Sequence, residues 1–313
     1  MDRVGAHRHW LIWAAVLPVA FWAWVRLFGM ERGFPLLPAM AYTPYVAVAA
    51  LFVTGIAVAL RNWAAATLAA LATVCFLTAV LPRAIGSPEP IDGEELAVLS
   101  VNLHLGKADI PTLMGLIERR DPDLLSLQEL TPGFATKLEE AGLRQIFPNA
   151  VLSLRWRASG GGIYSRLPLR KLREAQDFAF RMPRAELTLP GGSTVRVVDV
   201  HPFTPTRNGI GRWRRGLESL PRTGAGAPWV LAGDFNATLD HAELREVIDR
   251  GYRDAAEVVG EGLTPTWPYG RFWTPPITID HVLADSRIGV AGYEVDDIPG
   301  TDHRAVFARL SIR

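Results

Sequence analysis

The stretch Leu231-Ala232-Gly233-Asp234-Phe235-Asn236-Ala237 sets a carboxylate and a carboxamide two positions apart at the end of an apolar run. In an extended chain, residues two apart face the same side, so Asp234 and Asn236 can reach one pocket where a strand leaves its sheet. A carboxylate can take a proton from water, and a neutral amide can donate to an anionic oxygen. The pair suits hydrolysis of a charged ester, although the same residue types also make turns and helix caps. Similar polar residues recur at or near the ends of other apolar runs: Asn102, Glu129, His201, Asp280, Asp302 and His303. A scaffold that collects such side chains along one rim of its sheets presents a site, whereas independent surface residues would scatter.

The elements that must position them follow from the apolar pattern. Leu96–Val101, Leu124–Gln128, Val195–Val200, Trp229–Gly233, Ile277–Leu283 (with Asp280 inside it) and Ala305–Leu310 read as strands. Pro111–Arg120, with Leu113, Leu116 and Ile117 on one face, reads as a helix, as do Arg212–Leu220 and His241–Arg250. Gly160-Gly161-Gly162 precedes a short run, Ile163-Tyr164-Ser165-Arg166. Strands alternating with helices define an α/β chain.

In this order VNLHLG, LLSLQEL, GGGIYSRLPL, VVDVHP, LAGDFNA, ITIDHVL and GTDHRAV resemble the endonuclease/exonuclease/phosphatase superfamily over roughly residues 95–313. The resemblance implies a four-layer fold, a two-sheet β-sandwich flanked by helices, that hydrolyses phosphate esters with a divalent cation, Mg²⁺ or Mn²⁺. Glu129 matches the family's metal carboxylate, Asn102 its supporting amide and Asp302 a second metal-side carboxylate. His201 matches a histidine that donates to phosphoryl oxygens, Asp234 the residue that aligns or deprotonates the attacking water, and Asn236 a donor to the transition state. His303 matches the second essential histidine, with Asp280 placed to accept its other ring N–H. Arg166 matches a segment near the family's site, as a supporting substrate contact. By strand alternation His104 and His281 point away from it, and no role is assigned to them or to His241. Trp267, Phe272 and Trp273, in a Pro-rich loop, can line a substrate groove, touch a bilayer or pack as a loop core. The cluster Arg212, Arg214, Arg215 fits either lipid phosphates or a solvated helix face.

Composition separates the chain into two regions. Hydrophobic residues make up 49% of 313 and mean hydropathy is +0.13, with most of the excess before residue 85. Residues 10–28, 44–60 and 63–81 each approach the ~20 apolar residues that a helix needs to cross a bilayer. They predict an all-α transmembrane region over residues 1–82, a Pro/Gly/acid-rich linker over 83–95 and a catalytic domain over 96–313. With these spans the whole chain resembles the membrane-anchored bacterial branch of the superfamily that includes a teicoplanin-resistance protein. Arg3, Arg8 and Arg61 against Arg32 and Arg83 favour a cytoplasmic N-terminus, which would place the catalytic domain outside the cytoplasm. The single cysteine, Cys75, excludes an internal disulfide and a cysteine metal site.

Six of 33 basic and three of 32 acidic residues fall in the first 89, leaving a net charge of −2 beyond them. A surface that grips long nucleic acid is usually basic, so nucleic acid is the disfavoured partner and a phosphate-bearing membrane lipid the favoured one. The leading expectation is a membrane-anchored phosphoesterase. The alternatives are an anchored extracellular nuclease and a catalytically inactive binding module.

Overall fold

The computed structural model describes residues 3–173 and 181–313, with side chains from residue 10 onward. It divides into two compact units, residues 1–82 with Leu239–Ala242, and Arg83–Thr238 with Glu243–Arg313.

The first unit is helical. Its three long apolar segments, Trp10–Phe28, Leu36–Ala59 and Trp63–Ala84, are long and apolar enough to cross a membrane. Small residues mediate their packing. Ala47, Ala50 and Ala57 on the second and Ala65, Ala66, Ala69 and Ala72 on the third are buried, which lets helix backbones approach closely. The Thr54 and Thr73 hydroxyls meet at 3.0 Å between them. Phe21, Trp24, Phe52 and Leu71 point outward, a face suited to lipid rather than water.

The second unit contains twelve strands among the described residues. They are β1 Glu94–Asn102, β2 Leu124–Gln128, β3 Asn149–Ser153, β4 Gly161–Ser165, β5 Leu169–Lys171, β6 Arg184–Thr188, β7 Thr194–Val200, β8 Trp229–Asp234, β9 Tyr252–Asp254, β10 Asp280–Asp285, β11 Gly289–Asp296 and β12 Ala305–Ile312. They form two six-stranded sheets, ordered β11-β12-β1-β2-β4-β3 and β5-β6-β7-β8-β10-β9. Each sheet has one parallel pair near its centre, β1 with β2 and β7 with β8, and its other pairs are antiparallel.

Alternation along β1 shows why the sheets stack. Leu96 and Val98 join Val197, Val230 and Val282 in the core between the sheets, while Leu99 and Val101 pack with Leu113, Leu116 and Phe134 of the helices Ile110–Arg120 and Pro132–Glu140. Asp109 and Thr131 cap those helices, accepting from the Thr112 and Phe134 N–H groups. In the second sheet Trp213, on the helix Ile210–Glu218, is buried and donates from Nε1 to the Phe235 carbonyl at 3.1 Å.

Residues 83–93 lie against this same unit. The Arg83 carbonyl accepts from Gly262 N–H at 2.9 Å, Ser87 N–H donates to Val258 O at 3.1 Å, and Glu89 N–H donates to Val290 O at 2.8 Å. The Glu89 carboxylate takes a two-pronged contact from Arg253 at 2.7 and 2.9 Å. Asp280 opens its strand rather than lying inside it. Its N–H is taken by Thr266 Oγ1 at 3.1 Å, and Ile277 instead bridges to Trp267.

Candidate active site

The two parallel pairs decide where the polar residues meet. Strands that run parallel finish at the same edge, and here the four finishing ends carry Asn102 (β1), Glu129 (after β2), His201 (after β7) and Asp234 (β8). The antiparallel neighbours complete the rim from their starting ends. Asp280 of β10 lies opposite Asp234, and His303 comes two residues before β12, which is paired with β1. Glu129 and Asn236 have φ of +57° and +50°, the left-handed region that non-glycine residues seldom occupy and that clusters at sites. Carboxylates help to fix these turns. Glu129 Oε2 accepts from Leu105 N–H at 2.7 Å, and the Asn236 N–H donates to Asp234 Oδ1 at 2.7 Å.

Asp234 Oδ2 is the centre of the arrangement. Asn102 Nδ2 donates to it at 3.1 Å and Asn236 Nδ2 at 3.4 Å. His201 Nε2 lies 3.6 Å from it and His303 Nε2 3.7 Å. Glu129 Oε1 is 3.8 Å from the same His201 nitrogen, so Glu129 and His303 belong to one cluster. His303 turns Nδ1 to the Asp280 carboxylate at 3.0 and 3.1 Å. The imidazole is thereby oriented, with its other nitrogen facing the centre.

Burial and charge set the two histidines apart. Burial, and then repulsion from His303, holds His201 down at about 3, so it is neutral at neutral pH. Burial also works to lower His303, but the carboxylates of Asp280 and Asp234 overcome it and raise the group to about 10, which keeps an imidazolium in place. Burial pushes the Asp234 carboxyl up, against the pull of that imidazolium. Asp302 stays below the usual carboxylate range, because the neighbouring His303 and His104 outweigh its burial.

Asn102, Glu129, His201, Asp234, Asn236, Asp280 and His303 are therefore brought together. Asp302 stands beside them with both oxygens engaged, Oδ1 by His104 Nδ1 and Oδ2 by Trp267 Nε1 at 3.3 Å and Arg271 Nη2 at 3.1 Å. Arg166 corrects the sequence reading. It follows the end of β4 that pairs with the start of β2, at the opposite edge of the sheet, where it donates to the Pro122 carbonyl at 2.9 Å and to Asp121. β4 runs antiparallel to β2, so the end that reaches the site is Gly161, not Arg166.

Two residues near the site escape the sequence pattern. His104 reaches Asp302, because φ turns positive at His104, Leu105 and Gly106 and the period of two no longer applies. Asp199 lies one layer beneath the site, on β7 two residues before His201. Its Oδ1 accepts from Gln128 Nε2 at 2.7 Å and Ser126 Oγ at 2.9 Å, and burial pushes it up to about 7. An acid two positions before His201, following Val197-Val198 in a buried run, was the available signal. The glycine run answers to the same crowding. A Cβ on Gly161 would stand 2.3 Å from Asp199 Oδ2, and one on Gly160 would stand 2.1 Å from the Leu130 carbonyl.

The donors present suit a hard cation. Glu129 supplies a carboxylate and Asn102 a carbonyl oxygen that accepts from His104 N–H at 3.0 Å, a set compatible with an ion that keeps several waters. Asp234, Asp280 and His303 form a second group, with ligand atoms within 4.8 Å of one another. Within it His303 Nδ1 is held by Asp280 at 3.0 Å, and Nε2 faces Asp234 at 3.7 Å.

Residues 99–303 match the Endonuclease/Exonuclease/phosphatase family, and the chain belongs to that family. Solved structures share its fold. A humanized D. rerio TDP2 aligns with a TM-score of 0.56 at 17% identity, covering 69% of this chain and 99% of that one. An endonuclease/exonuclease/phosphatase from Beutenbergia cavernae aligns at 0.54 and 20% identity, covering 70% and 72%. D. rerio TDP2 complexed with a single-strand DNA product aligns at 0.54 and 16% identity, covering 70% and 99%. No curated protein matches the chain in sequence.

Proposed function

We propose that the chain is a divalent-metal-dependent phosphoesterase, held at a membrane by its N-terminal helices, that hydrolyses a lipid-linked or cell-envelope phosphate ester by in-line attack of water. The observation that carries this reading is the gathering of Asn102, His201, Asn236 and His303 around one oxygen of Asp234. A phosphate ester is anionic, so catalysis depends on placing water and neutralising charge on the phosphoryl oxygens. Asp234 accepts the proton of the attacking water. The His303 imidazolium, oriented by Asp280, faces the phosphoryl oxygens with a fixed positive charge. Neutral His201 and the Asn236 amide donate to the same group. Glu129 and Asn102 would hold the cation, Mg²⁺ or Mn²⁺, with Asp302 recruited only if it releases one of its present partners. When bound, the ion would supply further neutralisation of non-bridging oxygens.

The three apolar helices support the membrane assignment, and the balance of flanking arginines supports an extracytoplasmic catalytic unit. A phosphatase-type reporter fused after Arg313 should be active outside the cytoplasm, and activity confined to the cytoplasm would reverse the orientation. A membrane-held nuclease is the second reading, favoured by the DNA complex of a fold neighbour and opposed by the net charge of −2 beyond residue 89. Assays on the purified full chain separate the two. Phosphate release from a phospholipid or polyprenyl phosphate, abolished by EDTA, supports the first. Nicking of plasmid DNA without lipid turnover supports the second.

A further inference from the structure

Two loops supply contacts to the site and also carry the exposed aromatic side chains of the catalytic unit among the described residues. Trp156, in the loop between β3 and β4, is 76% exposed, and Phe272 and Trp273, in the loop before β10, are each 97% exposed. Large aromatic groups in water are costly when nothing covers them, and they mark a surface meant for a partner. Neither loop is remote from the chemistry. The backbone of Ala158 is hydrogen-bonded to His201, and the Gly160 carbonyl accepts from Leu130 N–H, one residue after Glu129. In the other loop, Trp267 and Arg271 bond to Asp302, and the Trp267 ring lies 6.5 Å from the His303 ring.

The composition of the tips narrows the partner. They read Leu154-Arg155-Trp156-Arg157 and Arg271-Phe272-Trp273, with every residue exposed, and residues 154–160 and 263–277 contain no acid. Aromatic rings interleaved with arginines on an acid-free tip suit the boundary between acyl chains and anionic headgroups. The chain also has helices able to cross a bilayer. The third such segment runs to Ala84, and the catalytic unit begins at Arg83, so the two are joined without an intervening spacer in sequence.

We infer that these two rim loops form a membrane-docking surface, inserting Trp156, Phe272 and Trp273 at the interface of an anionic bilayer so that a lipid-borne phosphate enters the site directly from the membrane. The identity of what is delivered rests on the phosphoesterase reading, whereas the docking itself does not. Single-stranded nucleic acid, whose bases also stack on exposed aromatic rings, is the competing partner. The presence in the same chain of three helices long and apolar enough to cross a membrane favours the lipid surface over it.

The test uses the full chain in lipid nanodiscs of phosphatidylcholine doped with phosphatidylglycerol. In a Cys75→Ser background, an environment-sensitive fluorophore is placed at Trp273→Cys, at Trp156→Cys, or at Arg119→Cys. Arg119 is an exposed control in the last turn of the helix Ile110–Arg120, two residues before the Asp121 that binds Arg166. Docking predicts blue-shifted emission and quenching by brominated lipid at 273 and 156 but not at 119. Rim probes as water-exposed as the control would overturn the inference, as would rim probes that respond to a single-stranded oligonucleotide and not to lipid. A second arm compares Trp156→Ala/Phe272→Ala/Trp273→Ala with the parent. Turnover of a vesicle-borne lipid phosphate should drop about tenfold, roughly the effect of losing a modest interfacial attachment, while hydrolysis of a short water-soluble phosphate ester is unchanged. Equal losses on both substrates, or none on the lipid, would count against docking. If the parent hydrolyses neither substrate with Mg²⁺, the phosphoesterase reading fails, and the probe result alone decides the docking.

Discussion

Strand β10 carries two acid–histidine pairs, one at each of two successive residues, and they have opposite fates. Asp280 faces the rim and holds His303 Nδ1 at 3.0 Å, leaving Nε2 at 3.7 Å from Asp234, beyond a hydrogen bond. His281 faces the other way and is closed on both sides, with Nδ1 at 2.6 Å from Asp254 and Nε2 at 2.9 Å from the Ala237 carbonyl. Both rings are buried, and both are raised in pKa by their acids against the effect of burial. Burial and a carboxylate partner are therefore common to both rings. What separates the pairs is a nitrogen left pointing at other chemistry-bearing groups. His281 spends both nitrogens on tying β10 to β9 and to the segment that follows β8, and His303 spends only one.

The largest expected effect tests that distinction directly. His303→Ala and Asp234→Asn should each cut kcat/KM of the folded protein by about 10³-fold or more, some 4 kcal/mol of transition-state stabilisation, and His303→Ala should also lose stability, because it leaves buried Asp280 without its partner. His281→Ala should lose stability without losing turnover. Leaving Asp254 buried without its partner should cost about 3 kcal/mol of stability in a denaturant melt, while the folded fraction keeps most of its turnover. A His281 variant that folds normally but is inactive would erase the contrast.

Next in size is Gly161→Ala, whose methyl group would collide with Asp199. It should lower stability by about 2 kcal/mol, with activity reduced through displacement of the layer beneath the site. Asp280→Asn should cost about tenfold to a hundredfold in kcat, because His303 keeps its place but loses most of its charge support. The pH profile sharpens this prediction. His303 is raised to about 10, so its imidazolium form, and the stability it adds, is fully present below the unfolded value of about 6.5 and fades as pH rises through 10. The alkaline limb of kcat/KM should lie near that upper value in the parent and move toward neutrality in Asp280→Asn. The acid limb should lie above the usual carboxylate range, because Asp234 must be ionised and burial raises it. The smallest effect belongs to Arg166→Ala, which should leave turnover within about twofold, as expected for a surface residue away from the site.

How much of this was legible depended on where extended backbone stops. Asn102, Glu129, His201 and Asp234 could be read because each ends an apolar run, and two parallel pairs carry all four ends to one edge. Asp280 and His303 were legible as neighbours of such runs. Arg166 was placed by the resemblance of its segment alone, and the antiparallel register of β4 on β2 carries it to the opposite edge. His104 misled because the alternation rule was carried past the last extended residue into three successive left-handed ones. Asp199 went unremarked because its partners, Gln128 and Ser126, lie more than 70 residues away on the facing sheet. The His281–Asp254 closure is long-range in the same way, and only the folded register reveals which histidine is spent.

The stretch from Arg83 to Gly93 bears on how a soluble form should be cut. Removing it would strip Glu89 from Arg253 and leave the carbonyls of Val258 and Val290 to water. A fragment prepared for crystallisation or titration should therefore start at Arg83. One trimmed to the first strand would expose the flank of Val258 and Val290, and would be the more readily digested and aggregated of the two.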